Sequence, residues 1–372
     1  MKMVKSVSIY NVVRFLTYFH RKGFRFIVLR GYEGLPDNYG GDLDIEVPEF
    51  QYQSFISELM SFSKEEALHL FRYVWRPHVT SFKFYRVVNG TLERFILDVT
   101  FRGGMWYGFQ YLSNEELFLK ARDRGEYLIP DPLHELCLKI FTNMLIGSSP
   151  PTKYLDELSI RLPSLKEEFL DFIRSRFPGV YGKELFEALV ERDVDRLKHF
   201  IPKLKLALIK GGLRKQPLRS LKWMFSTIFA ELYYYLQKNG LKVVLFSKEP
   251  SLYAFEGVFD ELERMIGHVW KKVIFVKADE AYPRACRCLW TVEVFRDRLI
   301  IIVVPDMCSR FCAIHQAEAD ISIMEEPAEI VFHLYRTLEQ RNRLRWRNRW
   351  YRSFLWRFGG YMRMIENAVK EE

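Results

Sequence analysis

Apolar positions at three- and four-residue spacing open the chain: Val12, Val13, Leu16 and Phe19 predict a helix over residues 8–22, closed by Gly23. A short β-type run follows at 24–29, then a loop rich in Gly, Pro and Asn over 31–41 and a second strand over 42–47. After a helix near 51–62, two further β segments, 80–88 and 91–101, flank Asn89-Gly90, the strongest two-residue hairpin signal. Residues 1–125 therefore read as an α/β domain with a mixed sheet.

From Asp131-Pro132 the pattern turns helical, with apolar periodicity over 133–145, 154–161, 165–177, 183–189 and 194–200, giving a helical domain at 126–202. Residues 203–238 read as a basic linker and helix. Over 203–222, Lys203, Lys205, Lys210, Arg214, Lys215, Arg219 and Lys222 come without an acid among them, broken by Gly211-Gly212 and Pro217. Next, β-type runs at 241–246, 272–276 and 298–304, with a helical stretch at 255–266, alternate in the βαβ manner. They predict a second, Rossmann-like α/β domain over 239–335. Residues 336–372 form an amphipathic helical tail, with Trp346, Trp350, Phe354 and Phe358 beside a stripe of Arg341, Arg345, Arg349 and Arg352. The fold class expected of the whole is α/β.

A length of 372 residues implies two or three folded units, and 49% apolar with 28% charged residues excludes a disordered or fibrous chain. A net charge of +9 favours an anionic partner, whether nucleotide, nucleic acid or acidic membrane surface. Five cysteines, an odd number, do not form a disulfide framework, so a reducing, cytoplasmic setting is expected. Lys2, Lys5 and Arg14 interrupt what a secretory leader would need as an apolar run, and Glu231 breaks the longest apolar stretch, 223–236, so neither a leader nor a transmembrane helix is expected.

The chemistry concentrates at Gly40-Gly41-Asp42-Leu43-Asp44-Ile45-Glu46-Val47. Alternation along a strand sends Leu43, Ile45 and Val47 to one face and Asp42, Asp44 and Glu46 to the other. Like charges gathered on one surface are costly unless a cation neutralises them, and a divalent metal is the natural remedy. Asp98 is a further candidate, a lone acid in the apolar strand Phe95-Ile96-Leu97-Asp98-Val99 that the hairpin returns to the sheet. Three carboxylates meeting at strand ends suit a pair of Mg²⁺ or Mn²⁺ ions, which serve phosphoryl or nucleotidyl transfer. A solvated edge strand with a satisfied buried acid is the bland alternative.

These residues resemble the DNA-polymerase-β-like nucleotidyltransferases, whose pattern is a Gly-Gly or Gly-Ser, an acid-x-acid pair about ten residues on, and a later isolated acid. Gly31, Asp42-x-Asp44 and Asp98 match it. The run LRGYEGLP…GGDLDIEV is also similar to uncharacterised nucleotidyltransferase-like proteins associated with surface-polysaccharide synthesis. The resemblance covers residues 24–160 and implies that Asp42, Asp44 and Asp98 are both the catalytic and the metal-binding residues. It implies transfer of a nucleoside monophosphate from an NTP to an unidentified acceptor, such as a sugar phosphate. Tyr32 departs from the pattern, standing where a small residue lets phosphate approach, and Gly40-Gly41 offer that approach instead. Nucleotide-binding candidates are Arg30, Gly31, Gly40, Gly41, Arg102, Lys139 and Lys153.

In such chains the basic linker is commonly followed by a kinase-like domain. Here Gly240 to Ser251 has the strand but lacks the glycines and the Lys-Ser/Thr pair of a phosphate loop, so this domain resembles a degenerate P-loop kinase. Cys286, Cys288, Cys308, Cys312 and His315 are poorly spaced for zinc and read as buried small residues, as does Cys137, while His78, His134 and His268 read as structural. From a different class comes the reading of a non-catalytic protein that binds RNA or an anionic membrane through the basic linker and tail.

Overall fold

A computed structural model describes residues 9–35, 42–75, 79–88, 91–236, 241–247, 272–277, 298–305 and 321–323. Helix α1, Ile9–Arg21, buries Val12, Phe15, Leu16 and Phe19 at the predicted spacing. It ends in a Schellman motif. Gly23 sits at φ +79°, its N–H donates to the His20 carbonyl at 2.9 Å, and the Phe24 N–H donates to that of Phe19 at 3.0 Å. The accompanying apolar contact is between the Phe19 and Phe24 rings, 5.5 Å apart.

Then come β1 (Ile27–Val28), β2 (Asp42–Glu46), α2 (Tyr52–Glu65), β3 (His69–Trp75), β4 (Val79–Val88), β5 (Thr91–Thr100), the short pair β6 (Gly104–Trp106) and β7 (Phe109–Leu112), α3 (Asn114–Leu119), β8 (Arg122–Asp123) and β9 (Leu128–Ile129). A mixed seven-stranded sheet runs β3-β4-β5-β2-β1-β9-β8, confirming an α/β fold. β2 pairs in parallel with β5 and antiparallel with β1. β4 and β5 are neighbours separated by too few residues for a parallel crossover, so they run antiparallel. Phe82, Phe84, Phe95, Leu97, Val99, Leu43 and Ile45 are buried. Phe15 of α1 lies 5.5 Å from Phe95 and 6.3 Å from Phe55 of α2, so these two helices cover that face.

Helices α4 (Pro132–Phe141), α5 (Leu155–Arg161), α6 (Lys166–Arg176), α7 (Gly182–Val190), α8 (Val194–Lys215) and α9 (Pro217–Leu236) follow. Asp131 caps α4 by accepting from the N–H groups of Leu133 and His134, with Pro132 at the first helical position. Phe141 stacks on Phe177 at 4.8 Å, and Cys137 is buried.

Two expectations need correction. The helices do not form a domain separate from the sheet, because Ile27 of β1 and Phe109 and Tyr111 of β7 belong to the same buried cluster as Leu136, Phe141, Leu158 and Leu197. Residues 203–222 are not a linker either: Leu204, Ala207 and Leu208 recur at helical spacing and bury against that cluster, so α8 continues to Lys215 with the cations on its other sides. The chain divides into one unit formed chiefly by residues 6–84 and 94–229 and a second that takes in 230–351.

The second unit contains β10 (Leu241–Ser247), β11 (Lys272–Lys277), β12 (Arg298–Pro305) and β13 (Ile321–Ile323), an all-parallel sheet in the order β11-β12-β10-β13. The helix expected at 255–266, the remaining cysteines, His78, His268, His315, Asn89-Gly90 and the tail from 336 lie outside the described residues. No described helix is long and apolar enough to cross a membrane.

Candidate active site

The parallel register of β2 and β5 sets Asp42 opposite Ile96, Asp44 opposite Asp98 and Glu46 opposite Thr100. Because Leu43, Ile45, Leu97 and Val99 fill the core, Asp42, Asp44, Glu46 and Asp98 share the other face. Asp98 is the most strongly perturbed of the expected catalytic acids. Burial, then the charges of Asp44 and Asp42, raise its pKa to about 6, against the opposing effects of a Ser81 hydrogen bond and Lys83. Its Oδ1 is buried without a hydrogen-bond partner. Asp42 is exposed at the start of its strand.

Arg30 leaves the end of β1 toward Asp44. Its Nε donates to Asp44 Oδ2 at 2.5 Å and its Nη2 to Oδ1 at 2.9 Å, a two-pronged ion pair. The Leu29 N–H donates to the Asp44 carbonyl at 2.9 Å, which fixes where Arg30 starts. Burial raises the Asp44 pKa and the Arg30 hydrogen bonds work against it; the same pairing with Asp44 raises that of Arg30. In sheet order the face carries Lys83, Asp98, Asp44 and Arg30, two acids flanked by two cations.

Gly31 turns the chain at φ +72° into a short helical turn, Tyr32–Gly34. Tyr32 is buried, and its hydroxyl donates to Glu135 of α4. Glu135 is wholly buried and also accepts from Lys139 Nζ at 2.6 Å and Arg161 Nη2 at 2.7 Å. Burial works to raise its pKa, but the bonds from Arg161, Lys139 and Tyr32 prevail and hold it at about 2.

The expected nucleotide-binding residues part company in the structure. Arg30 and Gly31 adjoin the acids. Lys139 donates to Glu135 and to both oxygens of Glu157, at 2.8 and 2.9 Å, so its ammonium is committed within the helices. Arg102 is buried, pairs with Glu49 at 3.2 Å and lies 4.5 Å from the Trp223 ring, a structural placement. Lys153 is exposed and stands over Tyr154. Gly40 and Gly41 lie outside the described residues.

Glu46 also has a different role from its strand neighbours. It accepts from the Gly103 N–H at 2.7 Å and from the Asn114 side-chain amide, joining the strand to the start of α3. Burial, opposed by bonds from Thr100, Asn114 and Gly103, raises its pKa to about 7.

Ser81 and Lys83 are site residues that sequence reading missed, though their alternation with buried Phe82 and Phe84 is the signal that finds them. The donor set is hard oxygen, and the unpartnered Oδ1 of Asp98 is the kind of acceptor Mg²⁺ or Mn²⁺ takes. Among the described residues no group of three or more His, Cys, Asp or Glu side chains is disposed to hold a metal ion, and at Asp44 both oxygens face Arg30. For Asp44 to take a divalent ion, that guanidinium would have to leave it.

No protein-family model matches the chain, and no curated protein does. A solved structure, the crystal structure of JHP933 from Helicobacter pylori, is similar over 58% of this chain and 100% of its own length, at 11% identity and a TM-score of 0.27, a likeness too slight to carry any argument.

Proposed function

We propose that the chain is a metal-dependent nucleotidyltransferase acting in the cytoplasm. The observation that carries this reading is the Asp44–Asp98 pair on adjacent parallel strands, with Asp42 two residues away and a buried, unpartnered oxygen on Asp98. Mg²⁺ or Mn²⁺, when bound, supplies charge neutralisation for the triphosphate and polarises the oxygens about the α-phosphorus. Asp42, Asp44 and Asp98 would hold it. Asp98, on the strand beside Asp44, would assist deprotonation of the acceptor hydroxyl. A bond forms between the acceptor oxygen and the α-phosphorus, and the bond to the bridging oxygen breaks, its electron pair leaving with pyrophosphate. The acceptor class proposed is a sugar phosphate or related polysaccharide precursor. Incubation with each labelled NTP and Mg²⁺ or Mn²⁺ tests the reading: pyrophosphate release that Asp98→Asn abolishes supports it, and release unaffected by that change refutes it.

A second reading rests on the Arg30 pairing, which already satisfies both oxygens of Asp44 as a permanent counter-ion would. In it the chain is a non-catalytic binder of RNA or an anionic membrane, using the cations of α8 and α9, from Lys203 to Lys222. Steeply salt-dependent binding without NTP turnover distinguishes it.

A further inference from the structure

We propose that Arg30 is an exchange residue, a counter-ion of Asp44 in the metal-free site and a phosphate ligand once a metal-bound nucleotide arrives. This rests on the nucleotidyltransferase reading and assigns the cation that changes partners in it.

The geometry of the pair sets up the exchange. Both prongs of the guanidinium engage Asp44, so a divalent ion approaching the same oxygens meets a like charge at contact distance. One of the two must leave. The Arg30 side chain is 46% exposed, against 15% for Asp44, so the arginine is the member with a way out. A second partner stands ready, because the Tyr154 hydroxyl, at the start of α5, also lies within hydrogen-bonding reach of Arg30. Gly31, next in the chain, sits in the left-handed region and turns the backbone away from the strand directly after Arg30.

Charge points the same way. With the nucleotide absent, Lys83 and Arg30 flank Asp98 and Asp44, while Asp42 adds a third negative charge. A divalent ion makes the Arg30 charge redundant at Asp44. The triphosphate arriving with it presents non-bridging oxygens to which a guanidinium forks two hydrogen bonds, as it does to a carboxylate.

Removing Arg30 must therefore act in opposite senses on the two ligands. Arg30→Gln is expected to tighten Mn²⁺ binding in the absence of nucleotide by about 5- to 10-fold, since a repelling charge is gone. At saturating Mn²⁺ it is expected to weaken NTP binding by about 10-fold, since a charge-assisted donor is gone. Arg30→Lys, which keeps the charge but not the fork, is expected to leave Mn²⁺ affinity near wild type and weaken NTP binding. Calorimetry on the full chain, with circular dichroism and urea midpoints as folding controls and Asp44→Asn in parallel, reads all of these. The crossed signs support the exchange. If Arg30→Gln weakens both ligands or moves neither, while Asp44→Asn abolishes Mn²⁺ binding, the exchange is overturned and the nucleotidyltransferase reading stands. Mn²⁺ binding indifferent to Asp44→Asn overturns both.

Discussion

Asp44 and Asp98 occupy matching register positions on two adjacent parallel strands, so their side chains leave the same face of the sheet side by side. Such a pair costs stability whenever both members are ionised, and burial enlarges the cost. The folded pKa of Asp98, about 6, lies above its ordinary value. Between about pH 4 and 6 the folded chain thus holds a proton that the unfolded chain has released, and stability falls as pH rises through that window. Asp98→Asn removes the ionisation. It is expected to stabilise the fold by about 2 kcal/mol at pH 7.5 and to give no gain at pH 4. Urea denaturation at the two pH values checks this; equal effects at both contradict it.

Glu135 gathers Tyr32, Lys139 and Arg161 around one fully buried carboxylate. Glu135→Ala leaves Lys139 facing Glu157 alone and removes the partner of the Tyr32 hydroxyl. The expected loss is about 3–5 kcal/mol, the range for breaking a buried ion pair from one side. A urea midpoint within error of wild type would show the network to be dispensable.

Gly103 sits at φ +70° and donates its N–H to Glu46. A methyl group at this position would meet the Leu112 carbonyl oxygen at 2.2 Å. Gly103→Ala is expected to cost about 3 kcal/mol from strain and overlap. It should also push the Glu46 pKa above about 7, because a donor to the ionised carboxylate is displaced. Thermal unfolding and a carboxyl titration by NMR read the two effects.

The acids and the strands that carry them were legible in the sequence. Period-two alternation puts Asp42 and Asp44 on one face of their strand, and apolar neighbours on both sides mark Asp98 as the lone acid of its own; the β2–β5 register then sets Asp98 beside Asp44. Helices α4 to α7 were legible too, through their apolar spacing and the Asp131-Pro132 start. The partners of the acids were not. Arg30 sits fourteen residues from Asp44, and only the sheet order brings β1 beside β2. Lys139 looks like a phosphate ligand until Glu135, one helical turn back, and Glu157 close on it. The joint core of sheet and helices was hidden for the same reason: Ile27 and Tyr111 carry no local mark of the helices they meet.

The most direct test of the central claim, that Asp42, Asp44 and Asp98 together form a divalent-cation-dependent nucleotide site, is calorimetric titration of NTP into the full chain with and without Mg²⁺, for wild type and for Asp42→Ala, Asp44→Asn and Asp98→Asn. The account predicts NTP binding that needs Mg²⁺ and is weakened at least about tenfold by each substitution in a folded protein, in keeping with the loss of a charged ligand. Affinity that ignores the metal and survives all three substitutions would contradict it.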